Sequence, residues 1–201
     1  MTPNVRRLRE DERAEAIRTL VLAFDADPFF RYLCPDHHNR DGWTRWFHTL
    51  ALGECASRDG LYTLDDGPQK GLIALVPPGG WPVATSASLR SIPFPTRRPT
   101  RRLVVTGLWM MAQMGRVHLR APHLYVYVLG VNPAHQGRGF GGVLLRHALG
   151  MARAAGVPAY LETANPANLP LYQKFGFRIV ETLQRADSPP LWTMVTPSPP
   201  A

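Results

Sequence analysis

Apolar positions change their spacing several times along the chain, and each change predicts an element. Ala14, Ile17, Leu20, Val21 and Phe24 recur at helical intervals, which predicts an amphipathic helix after a short strand at 5–9. DADPFFRYLCPD breaks that helix with two prolines. Trp43, Trp46, Phe47, Leu50 and Leu52 define a second helical region over 41–57, expected to pack on the first. The pattern then turns β-like at 61–64 and 72–76, on either side of Asp65-Asp66-Gly67-Pro68, which predicts an antiparallel hairpin. PPGGWP at 77–82 closes the hairpin, and a proline- and arginine-rich linker over 91–102 leads to a third helix at 103–119.

The second half is more sharply punctuated. LYVYVLGV (Leu124–Val131) is an uninterrupted strand, NPAHQ a loop, and 139–155 a helix whose inner face carries Leu144, Leu145, Ala148, Leu149 and Ala152. Gly156 and Val157-Pro158 end that helix. A buried strand at 159–163, a short helix at 168–175 stopped by Gly176, and the strands FRIVETL and LWTMVT complete the chain. At 201 residues this is one domain, 1–201, with a proline-rich tail at 197–201.

Charge narrows the partner. With 23 Lys and Arg against 15 Asp and Glu the formal net charge is +8, which asks for an anion. A phosphorylated cofactor meets that need without nucleic acid, and Arg97, Arg98, Arg101 and Arg102 read as a solvated basic loop as readily as a phosphate contact. The N-terminus is charged from residue 6 and lacks the apolar stretch of a signal peptide, and the most apolar window, 103–114, is too short to span a bilayer. The expectation is a cytoplasmic protein with no membrane partner. Cys34 and Cys55 lack metal-ligand spacing and are expected to be reduced thiols, with no metal site.

The chemistry gathers in VNPAHQGRGFGGVLLRHAL, where Gly137, Gly139, Gly141 and Gly142 open a helix. Glycine is entropically costly there, so something needs bare backbone, and the first amides of a helix are a natural anion site. Gly137, Gly139 and Gly142 satisfy G-x-G-x-x-G, with Glu162 placed where a ribose-binding acid would be sought. The dinucleotide turn, however, follows its strand at once, whereas residues 132–136 intervene here. The unit also comes after several strands, and too little chain follows for a doubly wound sheet. A flexible turn without a ligand leaves the adjoining motifs unexplained.

Gln136-x-x-Gly139-x-Gly141 between a strand and a long helix resembles the acyl-CoA pyrophosphate loop of the GNAT superfamily of N-acyltransferases. Asn165 and the run LYQKFGF at 171–177 look like that family's second signature. The stretches TLVLAFDADPFFRYLCPD and AGVPAYLETANPANLPLYQKFGF are further similar to the puromycin N-acetyltransferase-like group. The resemblance implies an α/β (α+β) GNAT fold: a mixed, mostly antiparallel sheet splayed near its middle and flanked by helices, with the cofactor-binding core at about 120–180.

It also implies acetyl-CoA as cosubstrate. Amides between Gly137 and Gly142, those of Arg138, Gly139, Phe140 and Gly141 included, would hold the pyrophosphate, with side-chain help from Gln136 and Arg138. Leu129, Gly130 and Val131 would pair with the pantetheine arm as an added strand. Asn165 and Tyr172 match cofactor-contacting positions, while Asn168 is expected to cap the short helix. Tyr172 would protonate the departing thiolate. A phenol near 10 and a thiol near 8.5 make full transfer uphill by about 2 kcal/mol, so hydrogen bonding to sulfur matters more than ionisation.

Several family members carry a base on the strand before the loop, but HLYVYV at 123–128 has no acid. Glu162 is the nearest candidate and His123 a poorer one; Glu162 serves equally as an ammonium contact or a structural carboxylate. Phe29, Phe30, Trp43, Trp81, Tyr125 and Trp192 are available to an acceptor. The implied activity is acetyl transfer to the amine of a small molecule, such as an aminonucleoside, another antibiotic or a metabolite, and antibiotic resistance is one role consistent with it. Amine and acetyl-CoA would meet in one ternary complex, in a monomer or homodimer. A non-catalytic acyl-CoA sensor is the alternative, and Tyr172 speaks against it.

Overall fold

The computed structural model describes residues 3–81 and 101–199, so most of the 91–102 linker, with Arg97 and Arg98, lies outside the described residues. Strand β1 (Val5–Arg7) leads through a 3-10 turn (Glu10–Glu12) into helix α1 (Arg13–Phe24). The α1 stripe differs from the expected one by a residue: Ala14 is exposed, and Ala16, Leu20 and Val21 are buried. Helix α2 (Pro28–Leu33) occupies the stretch expected only to break α1, because Asp27 accepts from the Phe29 and Phe30 amides and Pro28 suits the first helical turn. Helix α3 (His37–Ala56) begins earlier than expected, since Asp36 caps it through the Asn39 amide. Strands β2 (Leu61–Leu64) and β3 (Gly71–Val76) form the expected antiparallel hairpin, and helix α4 (Arg101–Val117) starts two residues before the apolar run.

Strand β4 (Leu124–Val131), helix α5 (Phe140–Ala154), strand β5 (Ala159–Thr163), helix α6 (Leu169–Lys174) and strands β6 (Arg178–Leu183) and β7 (Leu191–Val195) follow in turn. The seven strands form one sheet in the order β1-β2-β3-β4-β5-β7-β6. Every neighbouring pair is antiparallel except β4 and β5.

Alternation along the strands feeds two cores. Leu124, Val126, Leu161, Ile73 and Leu75 pack under α5, against Leu144, Leu145 and Ala148. Tyr125, Val128, Tyr160, Leu72 and Ala74 face Ala16 and Leu20 of α1 and Leu52 and Cys55 of α3. The β3–β4 register steps from Ala74↔Val128 to Leu75↔Val126, leaving Tyr127 as the extra residue of a β-bulge.

That bulge sits where the sheet opens. β4 and β5 pair only over Leu124–Val126 and Ala159–Leu161. Beyond this point β4 stays on β3 as far as Val131↔Gly71, while β5 stays on β7 as far as Thr163↔Trp192. The two parallel strands therefore fork, and the β5-facing edge of β4 has no strand partner from Tyr127 onward among the described residues.

Candidate active site

The fork points at the glycine turn. After β4, Asn132 accepts from the Ala134 amide and donates to the Gln69 carbonyl, and a 3-10 turn (Pro133–His135) follows. Gly137 (φ +75°) and Gly139 (φ +84°) then adopt the left-handed conformation. A Cβ at either would meet nothing within 4 Å, so backbone conformation rather than crowding within the protein selects these two glycines. Gly142 has a different reason, because a Cβ there would lie 3.2 Å from Phe175 Cζ. A Cβ on Gly141 would make only ordinary contacts, 3.6 Å from Val131 Cγ2 and 3.7 Å from Leu171 Cδ2.

The result is an open helix mouth. The first helical bond of α5 runs from the Val143 amide to the Gly139 carbonyl at 3.1 Å, and no side chain caps the helix. The preceding amides of that turn, from Gly139 to Gly142, have no acceptor within the helix. Gln136 is committed elsewhere: its Nε2 donates to the Val131 carbonyl at 3.0 Å and braces the turn against β4. Gly130 owes its identity to the other layer, because a Cβ there would lie 2.4 Å from Leu20 Cδ2 on α1.

On the α5 face, Tyr172 of α6 is buried, with its ring 5.9 Å from that of Phe177. Burial pushes its phenol well above the usual range, and Asp27 adds to the push from the cap of α2. Asp27, whose own carboxyl is raised by burial, is a residue that the sequence pattern did not single out. Capping near α6 is also reassigned. Asn165 Oδ1 accepts from the Ala167 amide at 3.0 Å and caps the 3-10 turn Pro166–Asn168, whereas Asn168 makes no side-chain cap.

Glu162 is the first β5 residue past the last β4 pairing. It belongs to the opposite face, in register with Tyr160. Its Oε2 accepts from the Tyr125 hydroxyl, and its Oε1 lies 3.3 Å from His118 Nδ1. His118 Nε2 lies 3.0 Å from His123 Nε2, and Trp81 stacks on His118 with ring centroids 3.7 Å apart. Burial lowers the His123 imidazole. The structure thus joins the two candidates for the base, Glu162 and His123, through His118, a residue the sequence reading did not single out. Tyr172 and Glu162 approach the fork from opposite sides of the sheet. Two shallow recesses, one lined by Arg9, Arg13 and Asp59 and the other by Arg58, Leu75 and Met151, lie away from both.

A forked parallel pair, an uncapped glycine turn and a buried tyrosine beside it form a constellation that can be compared with known proteins. Residues 102–177 match the model of the acetyltransferase (GNAT) family. The GNAT match runs from α4 through α6 and takes in the fork, the turn and Tyr172. The N-alpha-acetyltransferase RimI of Mycobacterium tuberculosis is 41% identical over 75 residues, which are 37% of this chain and 48% of RimI. The chain therefore spans about half the length of that curated relative.

Two solved structures align over nearly the full length. A histone acetyltransferase HPA2 and related acetyltransferase from Corynebacterium glutamicum has a TM-score of 0.68 at 24% identity, covering 100% of this chain and 98% of that one. The Drosophila melanogaster polyamine N-acetyltransferase has a TM-score of 0.67 at 16% identity, covering 96% and 99%. These likenesses give the chain the mixed, mostly antiparallel GNAT fold. Among the described residues no cluster of side chains suits a metal ion, and no helix is long and apolar enough to cross a membrane.

Proposed function

We propose that the chain transfers an acetyl group from acetyl-CoA to the amine of a small molecule, by direct attack in a ternary complex. The observation that carries this reading is the fork after Val126 and Leu161, which leaves a strand edge leading to an uncapped helix mouth. Coenzyme A fits that shape: a peptide-like arm suits the unpaired edge at Leu129–Val131, and a diphosphate suits the amides between Gly137 and Gly142. Arg138 is exposed at the turn and free to reach a phosphate. Tyr172 packs in the core on the α5 side.

When bound, the cosubstrate supplies an activated acetyl thioester. The chain's own groups do the rest. The Tyr172 hydroxyl, held protonated by burial, donates a hydrogen bond toward the departing sulfur. Glu162, at the fork on the other face, receives the acceptor's ammonium and takes its proton. Both cysteines are buried, and burial pushes the Cys55 thiol up to about 12, so neither supplies a thiolate for a covalent acyl-enzyme.

The acceptor side is lined from α2, α3 and β4 by aromatics such as Phe30, Phe47 and Tyr127, which favours an acceptor with a flat or apolar portion, in keeping with the likeness to the puromycin N-acetyltransferase-like group. The test is a panel of puromycin, tyramine, agmatine and a peptide with a free N-terminus, incubated with acetyl-CoA and read by thiol release and product mass. Acetylation of a small amine, lost in Glu162→Gln, is the expected result. Coenzyme A uptake without any acetylated amine would favour a sensor, and failure of folded protein to take up coenzyme A by calorimetry would overturn the reading.

A further inference from the structure

His123 Nδ1 lies 2.8 Å from the Ala121 carbonyl, which can only accept, so Nδ1 carries a hydrogen. In neutral His123 the Nε2 is then bare and takes a hydrogen from His118 Nε2 at 3.0 Å. That leaves neutral His118 with a bare Nδ1 facing a carboxylate oxygen 3.3 Å away, lone pair against lone pair. One additional proton satisfies every contact. It can sit on Glu162, on His118 as an imidazolium, or on His123 if the His118 hydrogen moves to Nδ1.

We propose that Glu162, His118 and His123 act as one proton-carrying unit, in which the two histidines lead the acceptor's proton from the fork to the loop before β4. This rests on the reading of Glu162 as the group that meets the acceptor amine. The surroundings hold the unit in place: Trp81 covers one face of His118 at an interplanar angle of 14°, and Tyr160 packs edge-on against it at 4.5 Å. The titratable groups facing the unit are the phenols of Tyr125, Tyr127 and Tyr160, all raised by burial and unable to compete for the proton as bases. Arg120, Ala121 and Pro122 in the loop carrying His123 are exposed, so as His123 receives a proton at Nε2, water reaching the Ala121 carbonyl can take the Nδ1 hydrogen.

The reaction has such a proton to dispose of. An ammonium enters with three N–H hydrogens and leaves as an amide with one. As the C–N bond forms and the C–S bond breaks, one hydrogen goes to the departing thiolate. The other is the one Glu162 accepts and the histidines remove, which restores the carboxylate. His118 and His123 act through Glu162, so they are positioning and relay residues.

Two measurements test this. In wild-type protein labelled with 15N-histidine, long-range proton–nitrogen spectra are expected to show His123 protonated at Nδ1 and intermediate, exchanging shifts at the nitrogens between the rings and toward Glu162. Fixed single tautomers on both rings would overturn the proposal without touching the function proposed above. With the fastest acceptor of the amine panel, a proton inventory in mixed light and heavy water is expected to curve for wild type. It should become linear in His123→Asn, with kcat down about 10-fold and KM unchanged. A wild-type inventory in His123→Asn, with Glu162→Gln inactive, would overturn the relay and leave the base in place. Full activity in Glu162→Gln would overturn both.

Discussion

Gly130 on β4 and Leu20 on α1 exclude a methyl group between them: a Cβ on the glycine would stand 2.4 Å from Leu20 Cδ2. Gly130→Ala is therefore expected to cost about 1–3 kcal/mol by overpacking, and Leu20→Ala about 2–5 kcal/mol by leaving a cavity. The double variant should lose less than the sum of the two. Urea unfolding of the four proteins checks this, and strict additivity would mean that α1 does not set the identity of residue 130.

The turn separates backbone need from ligand need. Gly139→Ala should cost about 1–2 kcal/mol because of its left-handed φ. Gly141→Ala should leave stability within about 1 kcal/mol, since its Cβ meets only ordinary contacts. If the diphosphate approaches residue 141, coenzyme A affinity in that variant falls about 10-fold or more by calorimetry. Unchanged affinity would remove the turn from the cofactor site.

For Tyr172, the phenol raised by burial gives a signed expectation. The neutral form persists through the ordinary phenol range near 10, so acetyl transfer should not fall between about pH 8.5 and 10 on account of this group. Tyr172→Phe is expected to lower kcat about 100-fold with little effect on the KM for acetyl-CoA. An equal fall in stability and activity would indicate a packing role only.

His48 makes stability depend on pH. It is fully buried among Phe24, Phe30 and Phe47, and burial lowers its imidazole to about 4. The unfolded chain therefore binds the proton more readily. The group's contribution is complete above about pH 6.5 and is lost as pH falls toward 4, by about 3 kcal/mol in total. Chemical denaturation at pH 7 and pH 4.5 should show most of that difference in wild type and much less of it in His48→Leu. Its Nε2 has no partner, so the leucine variant is expected to be stable at pH 7.

Cys34 and Cys55 should resist thiol reagents in the native state, because burial raises both thiols. The double alanine variant is expected to acetylate amines within about twofold of wild type. An acetylated cysteine trapped by acid quench and seen by mass spectrometry would replace direct attack by a two-step route.

Much of the fold was legible where local chemistry and burial agree. LYVYVLGV, the helix after Gly139 and the hairpin around Asp65–Pro68 all carry their own punctuation. Helix α2 was not, because prolines that end one helix also start another, and only the Asp27 cap distinguishes the two cases. The turn and Tyr172 were visible as spaced residue types. His118 was not, since the helix expected over 103–119 ran through it and it gains its meaning only from Glu162, distant in sequence and close in space. Likewise, capping by Asn165 instead of Asn168 depends on a 3-10 turn that no periodicity announces.

Tyr127 gives the last four residues of its strand an inverted parity. Because it is surplus to the register, Leu129 turns toward α5 and Gly130 toward α1, the reverse of an unbroken alternation. Removing this residue would restore one-to-one pairing with β3 and leave Leu129 and Gly130 on the faces they hold now, so the loss would fall on the local bend at the fork and spare the packing beyond it.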